Sequence, residues 1–391
     1  MMLGIIQGFA QGFSILMAQE FGAGNVKRLK KVVGNAVGLS AASAVLLLIA
    51  GESIVFPVLS LLQTPGEIIG QSMLYLRIMF AGVPIVMAYN LLASILRALG
   101  DGKTPLHAMI TAAAVNIVLD IIFVMAFGWG IAGAAAATLI AQFCSSIYCY
   151  VYIRKIEILS LCREDFRWEK ELDWKLILLG LPMAFQNAII SIGGMIVQAV
   201  VNGFGVIFIA GFTATNKLYG VLEVAATSYG YAMITYVGQN LGAGKIDRIK
   251  KGMRSAMFIA MITAAVIAFC MLVFGHGILG CFISGSQEEV DKTMAIAYHY
   301  LFIMSICLPI LYILHVIRAA LQGMGDTVLP MVSGIAEFVM RTGTAILLPL
   351  ALGEEGIFYA EILAWAGADV ILVVSYFIRM KKFTAQMGGG D

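Results

Sequence analysis

The sequence predicts an all-α integral membrane protein made of two pseudo-symmetric helical lobes, with five transmembrane helices in the first and six in the second. Three observations predict it: too few charges for a water-facing surface, eleven long apolar segments, and a pair of motifs that recurs between the two halves.

Charge scarcity comes first. Only 12% of the 391 residues are Asp, Glu, Lys or Arg, and 61% are apolar. An ordinary soluble domain is about 25% charged, so much of this surface must face lipid. The net charge of +2 excludes a nucleic-acid partner, which would demand a clustered basic surplus. Cys144, Cys149, Cys162, Cys270, Cys281 and Cys307 form no CxxC pair, and most read as small apolar side chains. His107, His276, His299 and His315 are scattered, without metal-ligand spacing. Gly102-Lys103-Thr104 ends like a phosphate-binding loop, but Arg97 stands where the leading glycine is required. With no HExxH, no GxSxG and no nucleophile–base pair, an intramembrane protease is disfavoured and no enzyme is expected. The chain opens inside an apolar run, without a basic stretch or small-residue cleavage site, so no cleavable signal peptide is expected.

A helix needs about 20 apolar residues to cross the hydrocarbon core. In chain order the segments are 1–19, 32–52, 68–98, 105–127, 130–153, 174–202, 206–238, 253–277, 291–321, 328–350 and 355–380. Loop signals punctuate them: Gly22-Ala23-Gly24, Thr64-Pro65-Gly66, Gly100-Asp101-Gly102, Gly128-Trp129-Gly130, Gly242-Ala243-Gly244 and Gly323-Met324-Gly325. The runs lack polar–apolar alternation, which favours helices over barrel strands. Lys and Arg collect in alternate gaps and in the tail after 378, all but Arg77, Lys217, Lys292 and Arg341. The gaps take in helix-end residues, so Arg318 is counted with the gap at 318–327. This asymmetry places the basic loops and the C-terminus in the cytoplasm.

Residues 18–31 read AQEFGAGNVKRLKK and residues 238–251 read GQNLGAGKIDRIKK, with half the positions identical. A second pair follows at nearly the same spacing: Gly100-Asp101 with Pro105, and Gly325-Asp326 with Pro330. Repeats on this scale mark secondary transporters, where the substrate path lies between two lobes. The expected lobes are 1–155 and 174–391, joined by a cytoplasmic linker at 156–173. Segment 174–202 has no partner in the first half.

These motifs, with RALGDGKTP at 97–105, NIVLD at 116–120 and GIAGAAAATLIAQ at 130–142, resemble the multidrug and toxic compound extrusion (MATE) family of twelve-helix antiporters, in its prokaryotic branch. The resemblance runs over essentially the whole chain, from the family's second helix to its twelfth, and implies that the family's first helix has no counterpart here. It implies cation-coupled efflux, driven by H+ or Na+, of organic cations or amphipathic drug-like compounds. It also implies no cofactor, a multi-pass place in the plasma or inner membrane among lipid, and no obligate protein partner.

Asp120 lies well inside a segment, with Asn116 one turn earlier on the same face. An intramembrane carboxylate costs roughly 2.5–3.5 kcal/mol on insertion scales. Its functional readings are Na+ binding through oxygens or proton loading after burial raises its affinity for a proton; the structural reading is a hydrogen bond to a neighbouring helix. The family resemblance adds Asn90 and Thr138 to Asp120 and Asn116 as a first-lobe cation site, the first-helix acid of that site having no match. In the second half Glu337 and Arg341 stand at i, i+4, as a structural pair or as a gate. The position matching Asp120 is Ala345, so the acidic site is expected in the first lobe alone. Glu223, Lys217, Gln186, Gln198 and Asn202 are further substrate-path candidates. Gly4, Gly8 and Gly12 form a small-residue stripe for close helix packing, which a helix absent from this chain would cover. Pro84, Pro182 and Pro309 interrupt segments. Two rival readings remain open: a lipid-linked saccharide flippase, for which only Arg77, Lys217 and Arg341 would serve pyrophosphate, and an inactive truncated transporter.

Overall fold

Backbone polar groups in lipid must be satisfied within their own segment, and the computed structural model resolves the apolar runs as helices. It describes residues 1–61 and 66–388. The helices are α1 (Met2–Gly22), α2 (Val26–Leu61), α3 (Gly66–Ala81), α4 (Val83–Ala98), α5 (Lys103–Asp120), α6 (Gly130–Ile153), α7 (Lys170–Val201), α8 (Val206–Gly242), α9 (Ile246–Gly280), α10 (Gln287–Gly323), α11 (Val328–Leu352) and α12 (Ala360–Gly388). Among the described residues there is no strand. The Thr64-Pro65 loop signal and residues 389–391 lie outside the described residues.

Two segments differ from their expected form. The run at 68–98 is two helices, α3 and α4, bent by 45° at Gly82. Pro84 stands in the first turn of α4, where its missing N–H costs nothing, whereas within one continuous helix its ring would clash with a carbonyl of the preceding turn. The run at 105–127 is α-helical only to Asp120 and continues as a π-helix over Ile121–Ala126. Among the described residues, eight helical stretches are long and apolar enough to cross a membrane, and the bent α3–α4 pair adds a ninth if taken as one span. One of the eight, Val328–Phe383, contains both α11 and most of α12.

The chain divides into two compact units, Met2–Ala184 and Phe185–Asp391, and the division falls inside α7. In the first unit α1 packs on α2 and α4, and α6 packs on α4 and α5. Phe13, Leu29, Val33, Leu96 and Leu176 are buried in its core. The segment after α6 is tied to α2: Lys30 Nζ donates to Ser160 Oγ at 3.0 Å, and Lys31 pairs with Glu169 at 2.9 Å. Two glycines of the α1 stripe, Gly8 and Gly12, are already covered. A Cβ on Gly8 would lie 2.5 Å from Ala184 Cα, and one on Gly12 would strike the backbone of Gly180. These glycines therefore seat α1 against α7 rather than awaiting another helix.

In the second unit α8 packs on α9 and α10, and α12 packs on α10 and α11. Phe212, Tyr300 and Phe358 stack in sequence with centroids 4.9 Å apart at each step.

The internal repeat appears as matched turns. Ala23 N–H donates to Gln19 O and Asn25 N–H to Glu20 O; Ala243 N–H donates to Gln239 O and Lys245 N–H to Asn240 O. Gly24 and Gly244 take φ of 70° and 69°, a left-handed conformation that closes a helix at little cost only for glycine. Gly100 and Gly325 repeat the device at φ of 90° and 85°. The following aspartates both cap the next helix: Asp101 Oδ1 accepts Thr104 N–H at 2.9 Å, and Asp326 Oδ1 accepts Leu329 N–H at 3.2 Å.

Large apolar side chains face outward. Phe258, Phe269 and Phe274 on α9 and Val370 and Phe377 on α12 are exposed, while charged side chains lie buried inside the second unit. Apolar outside and polar inside is the distribution lipid selects.

Candidate ion site and buried charge ladder

On α5, Ile117 and Val118 are exposed while Asn116 and Asp120 are half-buried. Helical spacing puts the last two on one inward face. Asn116 Nδ2 and Asp120 Oδ1 are buried and have no hydrogen-bond partner. Such orphaned groups carry the full desolvation penalty, about 1–3 kcal/mol each. Asn90 Nδ2 donates to Val86 O at 2.8 Å, and Thr138 Oγ1 donates to Ala134 O at 3.0 Å. Both side chains thus bond within their own helices, and each keeps oxygen lone pairs for a further partner. α5 and α4 both pack on α6, which carries Thr138, but among the described residues no hydrogen bond joins the four side chains to one another. A half-turn of the Asn116 amide exchanges its nitrogen for its oxygen. The chemistry available is one carboxylate with neutral oxygens around it, and among the described residues no three His, Cys, Asp or Glu side chains cluster as a metal site. Asp120 is the last α-helical residue before the π-helix, and such departures from regular helix occur frequently at functional sites.

The second unit holds a larger array. Glu337 is 2% exposed and bridges two arginines: Arg318 Nη2 lies 2.6 Å from its Oε2, and Arg341 Nη2 lies 2.8 Å from its Oε1. Arg341 Nη2 also meets Glu361 Oε2 at 2.6 Å, and its Nη1 donates to Ile190 O at 3.2 Å. The ladder Arg318–Glu337–Arg341–Glu361 thus links α10, α11 and α12 and reaches α7 at Ile190. Asp369 on α12 is buried, within electrostatic reach of Arg318 and Glu337. Glu223 on α8 is half-buried, within electrostatic reach of Glu361, Glu337 and both arginines.

One expectation is corrected here: Arg318, counted with the basic gap at 318–327, is buried, because α10 runs on to Gly323. The second unit also holds acids away from the repeat position Ala345: Glu337 and Asp369 are buried and Glu361 and Glu223 half-buried, on α11, α12 and α8.

The MatE family model matches residues 1–122 and 182–347. This chain belongs to the MATE family. It is 30% identical over 336 residues to the probable multidrug resistance protein YoeA of Bacillus subtilis, covering 84% of this chain and 72% of that one. It is 29% identical to the probable multidrug resistance protein YpnP of the same organism, covering 91% and 79%. An outward-facing multidrug resistance MATE transporter superposes with a TM-score of 0.90 at 21% identity, covering 98% of this chain and 85% of that one. A MATE crystal structure in the bent conformation gives 0.88 at 20% identity, covering 98% and 86%. These structures share the fold.

In this MATE protein, then, a transporter rather than an enzyme, the remaining candidates separate. Gln186 is buried and accepts from Gln322 Nε2 at 3.3 Å, beside the α11 glycine Gly334. Lys217 is exposed, on a different face of α8 from Glu223. Gln198 and Asn202 bond to each other at 2.9 Å on the exposed end of α7. Sequence reasoning did not single out Arg318, Glu361 or Asp369. Asp369 lies inside an apolar run as Asp120 does, so the signal that marks one marks the other.

Proposed function

We propose that this MATE protein is a cation-coupled multidrug efflux antiporter that exports organic cations or amphipathic compounds by alternating access. The observation that carries the coupling is the orphaned pair on α5, Asn116 Nδ2 and Asp120 Oδ1. A carboxylate held unpaired on the inward face of a membrane helix is stable when H+ or Na+ binds it. Such binding moves the conformational equilibrium only if one state binds the ion better, and Asp120 sits where regular helix gives way to π-helix. Asn116, Asn90 and Thr138 would supply the neutral oxygens, and no cofactor is needed. The likeness to YoeA and YpnP, probable multidrug resistance proteins, supports drug-like substrates. The reading includes a plasma or inner membrane location with the basic loops and C-terminus in the cytoplasm, where 1–155 and 174–391 act as lobes about the 156–173 linker. The flippase alternative is weakened because Arg318 and Arg341 are already neutralised by Glu337 and Glu361.

Proteoliposomes holding the purified chain and a fluorescent organic cation test this. An imposed H+ or Na+ gradient should drive the dye against its own gradient. Movement that is indifferent to both gradients contradicts the proposal.

A further inference from the structure

We infer that the first turns of α9 carry a binding surface for an anionic phospholipid, with its phosphate at Arg248, Lys251 and Arg254 and an acyl chain along Phe258, Ile262 and Phe269. The inference goes beyond the transport reading and takes from it only the orientation, which puts this end of α9 at the cytoplasmic leaflet.

The internal repeat supplies the first argument, because its two copies are not covered alike. In the first copy the cations that follow the helix-closing glycine are taken up by the protein itself. Arg28 pairs with Glu20 at 3.0 Å, Lys30 Nζ donates to Ser160 Oγ at 3.0 Å, and Lys31 pairs with Glu169 at 2.9 Å. The segment after α6 lies directly on Gly34, where a Cβ would strike Asp165 O. In the second copy these features are replaced. Asn240 stands at the position of Glu20, and Arg254 at that of Gly34. Lys245, Arg248, Lys251 and Arg254 are all exposed, and none of them forms an ion pair among the described residues. Asp247 is the one acid between residues 239 and 258, and it lies 3.9 Å from Lys250. The repeat thus keeps the cations and drops the groups that neutralise them.

The helix face supplies the second. Residues three, four and seven apart lie on one side of a helix. Arg248, Lys251 and Arg254 therefore share a face with Phe258 and Ile262, and Phe269 falls two turns further along it. All three apolar side chains are exposed, and α9 turns its other sides to α8 and α10. Tyr236 on α8 donates from its hydroxyl to Arg248 O at 2.9 Å, and a Cβ on Gly252 would strike the Tyr236 ring. The first turns of α9 are thus seated on α8, which holds the cationic side chains in place. A free cationic end that runs into an exposed apolar face matches a phospholipid, with its phosphate at the water boundary and its hydrocarbon below. A soluble phosphate would use the cationic end alone. Each Lys or Arg near an anionic membrane surface strengthens binding about fivefold.

Native mass spectrometry of the purified chain, offered equal amounts of phosphatidylglycerol and phosphatidylethanolamine with matched acyl chains, reads the retained lipid directly. The wild type should retain phosphatidylglycerol in preference. Arg248→Gln, Lys251→Gln and Arg254→Gln together should lower that preference several-fold. Arg28→Gln with Lys31→Gln, at matching positions of the first copy, should leave it intact, which separates this surface from overall charge. Glycerol phosphate in excess should not displace the lipid. Circular dichroism confirms that each variant is folded; should the triple change unfold the chain, each single change must lower the preference about fivefold. The inference is overturned if the wild type retains both lipids equally, if the folded α9 variants keep the full preference, or if the first-copy variant loses it. It is equally overturned if glycerol phosphate displaces the lipid, or if a second copy of the chain occupies this face and excludes lipid. Transport plays no part in this readout, so a failed efflux assay leaves the result standing.

Discussion

Arg318 donates to Glu337 across 2.6 Å, joining α10 to α11 where both side chains are buried. Glu337 is also the only link between Arg318 and the rest of the ladder among the described ion pairs. Removing one partner of a buried pair leaves an uncompensated charge, which costs about 3–5 kcal/mol. Glu337→Ala should therefore lower stability by about that amount. Glu337→Met combined with Arg318→Met should lose much less, because Arg341 keeps Glu361 at 2.6 Å. Thermal unfolding in detergent separates the two cases, and equal losses would mean that the pair is not coupled.

The two repeated aspartates make a graded prediction. Replacing an N-cap aspartate with alanine costs about 0.5–2 kcal/mol. Asp326→Ala should cost more than Asp101→Ala, since Asp326 also holds Arg379 at 2.7 Å. For Asp101, burial pushes the carboxyl up. The hydrogen bonds from the Thr104 side chain and backbone and from Lys103 N–H outweigh it and leave the group below the usual carboxylate range. A carboxyl lowered on folding stabilises fully above its unfolded value, about 3.9, and that contribution fades as pH falls through the lower folded value. The stability gap between wild type and Asp101→Ala should accordingly be constant near neutral pH and close below about pH 4. A gap that widened on acidification would contradict this.

Gly8→Leu should displace α1 from α7, because even a Cβ at Gly8 meets the Ala184 backbone. Overpacking of this kind costs about 1–3 kcal/mol. The expected result is a lower melting temperature, with Gly24→Ala affected through φ strain instead, since a Cβ there meets nothing.

Much of the fold is legible in the sequence because lipid imposes one rule on every segment. Apolar runs such as 130–153 and 328–350 map almost residue for residue onto α6 and α11. What escapes is local. Pro84 marks a break, yet its run reads as continuous by hydropathy, since a bend of 45° leaves apolarity unchanged. The π-helix after Asp120 has no compositional mark. Arg318 lies where segment 291–321 overlaps the basic gap at 318–327, and charge placement alone does not show that it is buried. Glu337 and Arg341 are visible as an i, i+4 pair, but their partners Glu361 and Arg318 lie on other helices, and spacing along one segment carries no word of them. The Asp120–Asn116 face is legible because both residues lie on one helix, where periodicity applies.

Drug efflux from cells producing this chain, compared with Asp120→Asn, tests the central claim most directly. Asparagine keeps the size and hydrogen-bonding capacity of the side chain but cannot bind a proton or neutralise Na+. The account predicts that Asp120→Asn reaches the membrane at wild-type levels and loses gradient-driven efflux. Undiminished efflux by that variant would contradict it.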